Sequence, residues 1–183
     1  MRFVAITDTS GNLPSERIRE AGLEVIAFPY FINGKEYTCL DTDSFCGDAF
    51  YAQIKDGMKV TTSQISPQQY ADFYEPFLKE GKDIVFVCMS SGISGSCNSA
   101  RIGADMILEQ YPGRRIEVVD TLGASLGEGL IALEAARLRD EDISAEAAAL
   151  QLLNRDHARV LQAAQRSVPQ APDHEGPVRP MPE

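Results

Sequence analysis

The chain has 183 residues, 44% of them hydrophobic, and a formal net charge of −10 at pH 7. This length and apolar fraction fit one folded domain and exclude global disorder. The negative charge argues against a nucleic-acid backbone or an anionic membrane as the main partner, because both repel an acidic surface. No apolar run approaches the roughly 18 residues of a membrane-spanning helix, so we expect no membrane span.

Strands alternate with helices along most of the sequence, which predicts an α/β fold with a mostly parallel sheet and helices on both faces. Asn33-Gly34 predicts a tight hairpin turn after the second strand. The predicted strands cover residues 3–6, 23–30, 84–89 and 116–119, and the predicted helices lie near residues 15–21, 45–54, 67–80, 97–111, 123–138 and 144–166.

The end of the chain differs in composition from the rest. From Ser167 onward it contains five prolines, no aromatic residue and few apolar side chains. Such a segment cannot bury a core. We therefore expect a folded domain over residues 1–165 and a disordered tail over residues 166–183.

The four cysteines show no CxxC spacing, and Cys88 falls inside a predicted core strand. Reduced thiols fit this pattern better than a disulfide framework or a zinc site. Asp8 interrupts the first apolar stretch too early for a signal peptide. We therefore expect a cytoplasmic protein without a metal ion or a cofactor.

The central segment is a strand that leads through a small-residue loop into a helix. Residues 90–96 are all Ser or Gly except Ile93. Backbone N–H groups at the start of a helix have no internal partner, and the helix dipole adds partial positive charge there. Serine hydroxyls add further donors. The segment therefore predicts a binding site for a small acidic group.

Two other loops rich in Ser and Thr, residues 7–12 and 61–66, are expected beside this one. In an open parallel sheet, the loops that follow the carboxyl ends of the strands gather where ligands bind. These hydroxyls can equally cap helices, which is their commonest role. Capping and ligand binding are compatible, and both interpretations stay open.

Motifs for catalysis are incomplete. The Gly-Ser run has neither the Gly-Lys-Ser/Thr of a Walker loop nor the GxGxxG spacing of a dinucleotide site. His157 and His174 lie far along the chain from the loops, so a serine nucleophile has no evident base. Asp8 is either an aspartyl nucleophile or magnesium ligand, or the cap of a turn. An enzyme that uses Asp8 or Ser94 for phosphoryl or acyl transfer remains an alternative.

Five motifs, taken together, resemble one protein family. They are Thr7-Asp8-Thr9…Leu13-Pro14, Phe28-Pro29-Tyr30…Gly34-Lys35-Glu36-Tyr37…Asp41, Thr62-Ser63-Gln64-Ile65-Ser66, Ser90-Ser91-Gly92-Ile93-Ser94-Gly95-Ser96 and Asp120-Thr121…Ser125-Leu126-Gly127-Glu128-Gly129. In order and spacing they resemble the DegV family, over residues 3 to about 140. Ile65 stands where the family usually has proline, and Cys97 where it usually has tyrosine.

The resemblance implies a fatty-acid-binding protein without catalytic turnover. Bacterial members act as the carrier subunit of a fatty acid kinase and present the carboxyl group to a separate ATP-dependent kinase subunit, which makes an acyl phosphate. The family's carboxylate-binding hydroxyls correspond to Thr62 and Ser94. A desolvated carboxylate needs several donors at once. The backbone N–H groups around Gly95 and Ser96 would add to them, with Ser63 and Ser91 as further contributors.

Family members carry a second α/β domain that closes over the acyl chain, and the sequence after about residue 155 does not resemble its beginning. We expect a shortened or frameshifted reading frame, or a single-domain fragment. Losing half the burial of about fourteen methylenes, at ~0.8 kcal/mol per CH₂, costs several kcal/mol. The chain alone is therefore expected to bind a long-chain fatty acid weakly or not at all. A ligand-free interaction module is the second alternative.

Overall fold

The structure is a computed structural model that describes residues 3–40 and 45–154. Within these ranges it has a four-stranded parallel sheet, a small three-stranded antiparallel sheet and six α-helices. The strands are β1 Val4–Asp8, β2 Glu24–Ile26, β3 Tyr30–Ile32, β4 Lys35–Tyr37, β5 Val60–Thr62, β6 Ile84–Cys88 and β7 Ile116–Asp120. The helices are α1 Ser15–Ala21, α2 Gly47–Lys55, α3 Pro67–Lys79, α4 Ser96–Leu108, α5 Leu126–Asp140 and α6 Ala145–Asn154.

The parallel sheet has the order β2-β1-β6-β7, and helices cover both of its faces. All five residues of β6 are buried. Val85 and Val87 enter the core formed with α5 and α6, whereas Ile84 and Phe86 enter the core formed with α3 and α4. A strand buried on both faces is continuously apolar for this reason. The predicted fold class, a mostly parallel sheet with helices on both faces, is confirmed.

The antiparallel sheet, in the order β4-β3-β5, departs from the prediction. The single strand predicted over residues 23–30 is divided into β2 and β3 near Pro29, which has no N–H to donate to a ladder. Thr61 and Thr62, predicted as loop, form β5 together with Val60, because these three residues pair with β3 from Val60–Ile32 to Thr62–Tyr30. The predicted turn at Asn33-Gly34 is confirmed, with φ values of 50° and 85° at its two residues.

Several helix boundaries follow local sequence signals, although α4 ends at Leu108 rather than at the predicted residue 111 and α5 begins at Leu126 rather than at 123. Ser66 and Gln69 form a reciprocal capping box at the start of α3, immediately before Pro67. Gly22 ends α1 in the left-handed conformation with φ 55°. The structure describes α6 as far as Asn154. Its predicted continuation to residue 166, the domain boundary at residue 165 and the tail lie outside the described residues.

In the part of the chain that the structure describes, no helix has both the length and the apolar character needed to cross a bilayer.

Candidate functional site

An open cavity of about 440 Å³ lies where the three hydroxyl-rich loops meet. Two of these loops follow the carboxyl ends of β1 and β6, which are neighbours in the parallel sheet. The third follows β5 of the antiparallel sheet, so the prediction that all three leave the parallel sheet was wrong for residues 61–66. The cavity lining consists of Thr9, Ser10, Phe28, Thr62, Ser63, Gln64, Met89, Ile93 and Ser94.

Three of the five predicted ligand-binding residues, Thr62, Ser63 and Ser94, line this cavity. The other two, Ser91 and Gly95, are outside the lining. The Ser91 N–H donates to Asp120 Oδ1 at 3.1 Å. Gly95 lies against the side chain of Gln64, so that a Cβ added there would be 2.7 Å from Nε2. The structure therefore brings together the two hydroxyls that the resemblance selects.

The Thr62 hydroxyl has no hydrogen-bond partner among the described residues, and its residue is exposed. Its proton is thus available to a ligand in the cavity. Ser63 makes only a 3.3 Å hydrogen bond, from its hydroxyl to the Gln64 carbonyl oxygen. Thr62 is the last residue of β5 and Ser63 comes directly after it. The pairing of β5 with β3 therefore sets the direction in which these two side chains point.

The Ser94 hydroxyl already has local partners. It accepts the backbone N–H of Ser96 at 3.2 Å and donates to Ser96 Oγ at 3.1 Å. The expectation that the Ser96 N–H would be available to a ligand was therefore wrong, because a serine hydroxyl readily bonds the backbone two residues onward. A ligand carboxylate would instead take the Ser94 proton in place of Ser96 Oγ.

The described residues of the lining have hydroxyl, amide and apolar side chains, and none of them is charged. Phe28, Met89 and Ile93 supply the apolar part. No cluster of three His, Cys, Asp or Glu side chains within residues 3–40 and 45–154 has an arrangement that could hold a metal ion. Such a surface suits a ligand with an acidic head and an apolar body, held by neutral donors.

A buried acid pair adjoins the cavity at Ser10. Asp8 is 2% exposed and Glu128 is 0% exposed. The Ser10 Oγ lies 2.5 Å from Asp8 Oδ1 and 2.6 Å from Glu128 Oε2. Thr7 Oγ1 donates to Glu128 Oε1 at 3.2 Å. Sequence reasoning did not identify Glu128 as a site residue, since it appeared only inside the Ser-x-Gly-x-Gly motif. An acid among small residues at the start of a helix was its only signal.

Burial raises the pKa of both carboxyls. The pKa of Glu128 rises to about 9, first because the group is desolvated and second because the charge of Asp8 is close. The pKa of Asp8 is also raised by burial, although hydrogen bonds from Ser10 oppose the rise. Asp8 caps the 3-10 turn Thr9–Gly11 by accepting the Ser10 N–H, as the capping interpretation predicted.

This chain is similar in sequence to known proteins of one family. A family model described as "Uncharacterised protein, DegV family" matches residues 2–159. The DegV domain-containing protein YteA of Lactococcus lactis is 34% identical over 140 residues, which are 76% of this chain and 48% of that protein.

Two solved structures are also similar to this chain. One is a DegV family protein from Thermus thermophilus, described as binding fatty acid, with 29% identity and a TM-score of 0.70 over 88% of this chain and 54% of that one. The other is a DegV family protein from Ruminococcus gnavus, refined with vaccenic acid, with 28% identity and a TM-score of 0.70 over 82% of this chain and 53% of that one.

The chain spans about half the length of the curated relatives it matches. The family model nevertheless matches most of the chain, and the parallel sheet with helices on both faces agrees with the similar structures. The chain belongs to the DegV family.

Proposed function

We propose that this chain binds a long-chain fatty acid in the cavity through the carboxylate and presents that carboxylate to a separate ATP-dependent kinase subunit in the cytoplasm of a bacterium. One observation carries the proposal: Thr62 and Ser94, from distant parts of the sequence, line a single cavity that also contains apolar side chains. The fatty acids of the similar structures support the ligand class.

The carboxylate would accept hydrogen bonds from the Thr62 and Ser94 hydroxyls, with Ser63 as a third donor within reach of the same space. A charge-assisted hydrogen bond contributes about 1.5–3 kcal/mol. Two or three such bonds offset part of the cost of desolvating the carboxylate. The apolar lining formed by Phe28, Met89 and Ile93 would contact the first methylenes of the acyl chain.

The role proposed is that of a carrier without turnover. Asp8 is buried, and Oδ1 already accepts the Ser10 N–H and contacts the Ser10 hydroxyl, which leaves it poorly placed to attack a phosphoryl group. Hydroxylamine trapping separates the carrier from the enzyme. The chain with ATP and oleate should give no trapped acyl phosphate until a kinase subunit is added. Trapping by the chain alone would establish the enzyme alternative.

The binding test uses a matched pair of substitutions on β5. Thr62 lines the cavity, whereas its neighbour Thr61 points to the opposite face of the strand and is outside the lining. Thr62→Val and Thr61→Val make the same chemical change. We expect T62V to weaken oleate binding about tenfold or more, as the loss of one charge-assisted hydrogen bond predicts. T61V should leave the affinity unchanged.

Isothermal titration calorimetry measures the affinity of both variants for oleate. Ser94→Ala tests the second hydroxyl of the cavity in the same way. Equal affinities for T61V and T62V would contradict the proposed site. Sedimentation velocity with and without oleate tests the remaining alternative. Self-association that oleate does not affect, together with no measurable oleate binding, would favour a ligand-free interaction module.

A further inference from the structure

The contacts around Ser10 require more protons than its hydroxyl can supply. Its Oγ lies 2.5 Å from Asp8 Oδ1 and 2.6 Å from Glu128 Oε2, both within the range of an O–H···O hydrogen bond. A serine hydroxyl carries one proton and can donate only once. If both carboxyls were ionised, one of these contacts would place two electron-rich oxygens together without a proton. One carboxyl must therefore donate.

The surrounding donors identify that carboxyl as Glu128. Asp8 accepts the backbone N–H of Ser10 at 2.8 Å, and Met89 N lies 3.5 Å from its Oδ2, so two backbone N–H groups stabilise its ionised form. Apart from its contact with Ser10, Glu128 accepts one hydrogen bond, from the Thr7 hydroxyl to Oε1. Both side chains are buried, so the difference in donors decides between them. The neutral form is thus favoured at Glu128, with the proton on Oε2.

We propose that Glu128 is a positioning residue that keeps its proton at neutral pH and donates a hydrogen bond to Ser10 Oγ. This bond orders the hydrogen-bonded series Glu128–Ser10–Asp8 beside the cavity. The Ser10 hydroxyl then has a fixed direction, because it accepts from Glu128 and donates to Asp8. The acid pair carries one negative charge instead of two. A ligand carboxylate in the cavity would then meet half the negative charge that two ionised carboxyls would carry. This effect on the ligand rests on the proposed function.

Other titratable groups lie near the pair, mainly on the side of Asp8. The neighbouring groups are Tyr70 and Tyr74 on α3, Cys88 on β6 and Cys97 on α4. Burial is the main cause that raises the pKa of the two tyrosines, and contact with Cys97 is the main cause that raises the pKa of Cys88. The same contact lowers the pKa of Cys97. Cys97 is consequently the group whose titration must be separated from that of Glu128.

Carbon-13 NMR of the full chain labelled at the glutamate carboxyl carbons makes this separation, because it does not detect cysteine. We expect one glutamate carboxyl to be protonated at neutral pH and to titrate only at alkaline pH, and we expect its signal to be absent in Glu128→Gln. The measurement needs no ligand. Finding every glutamate ionised at neutral pH would overturn the proposal. If E128Q does not fold, Thr7→Val should shift the same signal, since Thr7 contacts the same carboxyl.

Oleate titration across the same pH range tests the effect on the cavity. The affinity of the unsubstituted chain should fall as Glu128 loses its proton, whereas the affinity of E128Q should show no such fall because glutamine donates and does not ionise. Glu128→Leu, which carries no charge but cannot donate to Ser10, should bind oleate more weakly than E128Q at every pH. Identical pH profiles for the unsubstituted chain and E128Q would contradict the positioning role. A protonated Glu128 in a chain that never binds oleate would refute the proposed function alone.

Discussion

Gly129 on α5 is the position where the helix packs most closely on the turn that carries Ser10. A Cβ added there would lie 2.6 Å from the Gly11 carbonyl oxygen and 2.9 Å from Leu13 Cδ2. The carbonyl oxygen belongs to the backbone, so the contact can be relieved only by moving the 3-10 turn Thr9–Gly11 or the helix. Gly129→Ala should therefore disturb the fold and the position of Ser10 together.

The expected magnitude is a balance of two effects. Overpacking a tight contact costs about 1–3 kcal/mol, while replacing glycine by alanine inside a helix gains up to about 1 kcal/mol. Gly127, on the same helix, has no heavy atom within 4 Å of the position that an added Cβ would take, and it provides the matched control. We expect Gly127→Ala to be neutral or slightly stabilising. G129A should be less stable than G127A by about 1–3 kcal/mol.

Urea unfolding followed by circular dichroism measures the free energy of unfolding of both variants. The two values are compared only if the m values are equal. Displacement of Ser10 should also weaken oleate binding in G129A and leave it unchanged in G127A. If the two variants have the same free energy of unfolding, α5 does not press on the turn as closely as the structure shows, and the account of how Ser10 is held would be refuted.

Three further predictions concern stability. Glu128 is protonated in both the folded and the unfolded state below its ordinary pKa of 4.5, and only in the folded state between pH 4.5 and about 9. The free energy of unfolding should therefore fall across this interval by at most about 1.4 kcal/mol per pH unit. Urea unfolding of E128Q over the same pH range should show no such fall. The Tyr74 hydroxyl is buried and has no hydrogen-bond partner among the described residues, so Tyr74→Phe should raise the free energy of unfolding by about 1 kcal/mol; a lower melting temperature would contradict this. Ser66→Ala should cost about 1 kcal/mol by removing the cap of α3, whereas Ser63→Ala, which removes no cap, should leave thermal stability unchanged.

The parallel sheet was predictable because its signals are local and strong. The run from Ile84 to Cys88 is apolar throughout, which is typical of a strand covered on both faces. Two helix ends coincide with clear local signals, the Ser66 cap at the start of α3 and Gly22, in its left-handed conformation, at the end of α1. Each of these signals depends on residues close together in the chain, so the sequence alone is enough to detect them.

The antiparallel sheet and the acid pair could not be predicted in the same way. Strands of three residues, such as β3 and β5, are too short to show a period of two, and their pairing joins Tyr30 to Thr62 across more than thirty positions. Glu128 meets Ser10 across 118 positions. The small residues around Glu128 are its only local signal, and they do not indicate its partners, which come from the other end of the domain. Only the three-dimensional structure shows that this acid adjoins the cavity.

Among the residues that the structure describes, the cavity lining contains no arginine or lysine. An arginine or lysine would hold a carboxylate more strongly than a hydroxyl does, but it would also withdraw charge from the oxygen that attacks a phosphoryl group in the function we propose. Neutral donors such as Thr62 and Ser94 leave more of that charge on the ligand. A protein with a net charge of −10 must then limit local repulsion by other means. A protonated Glu128 does so, because it leaves Asp8 as the single negative charge of the pair beside the ligand.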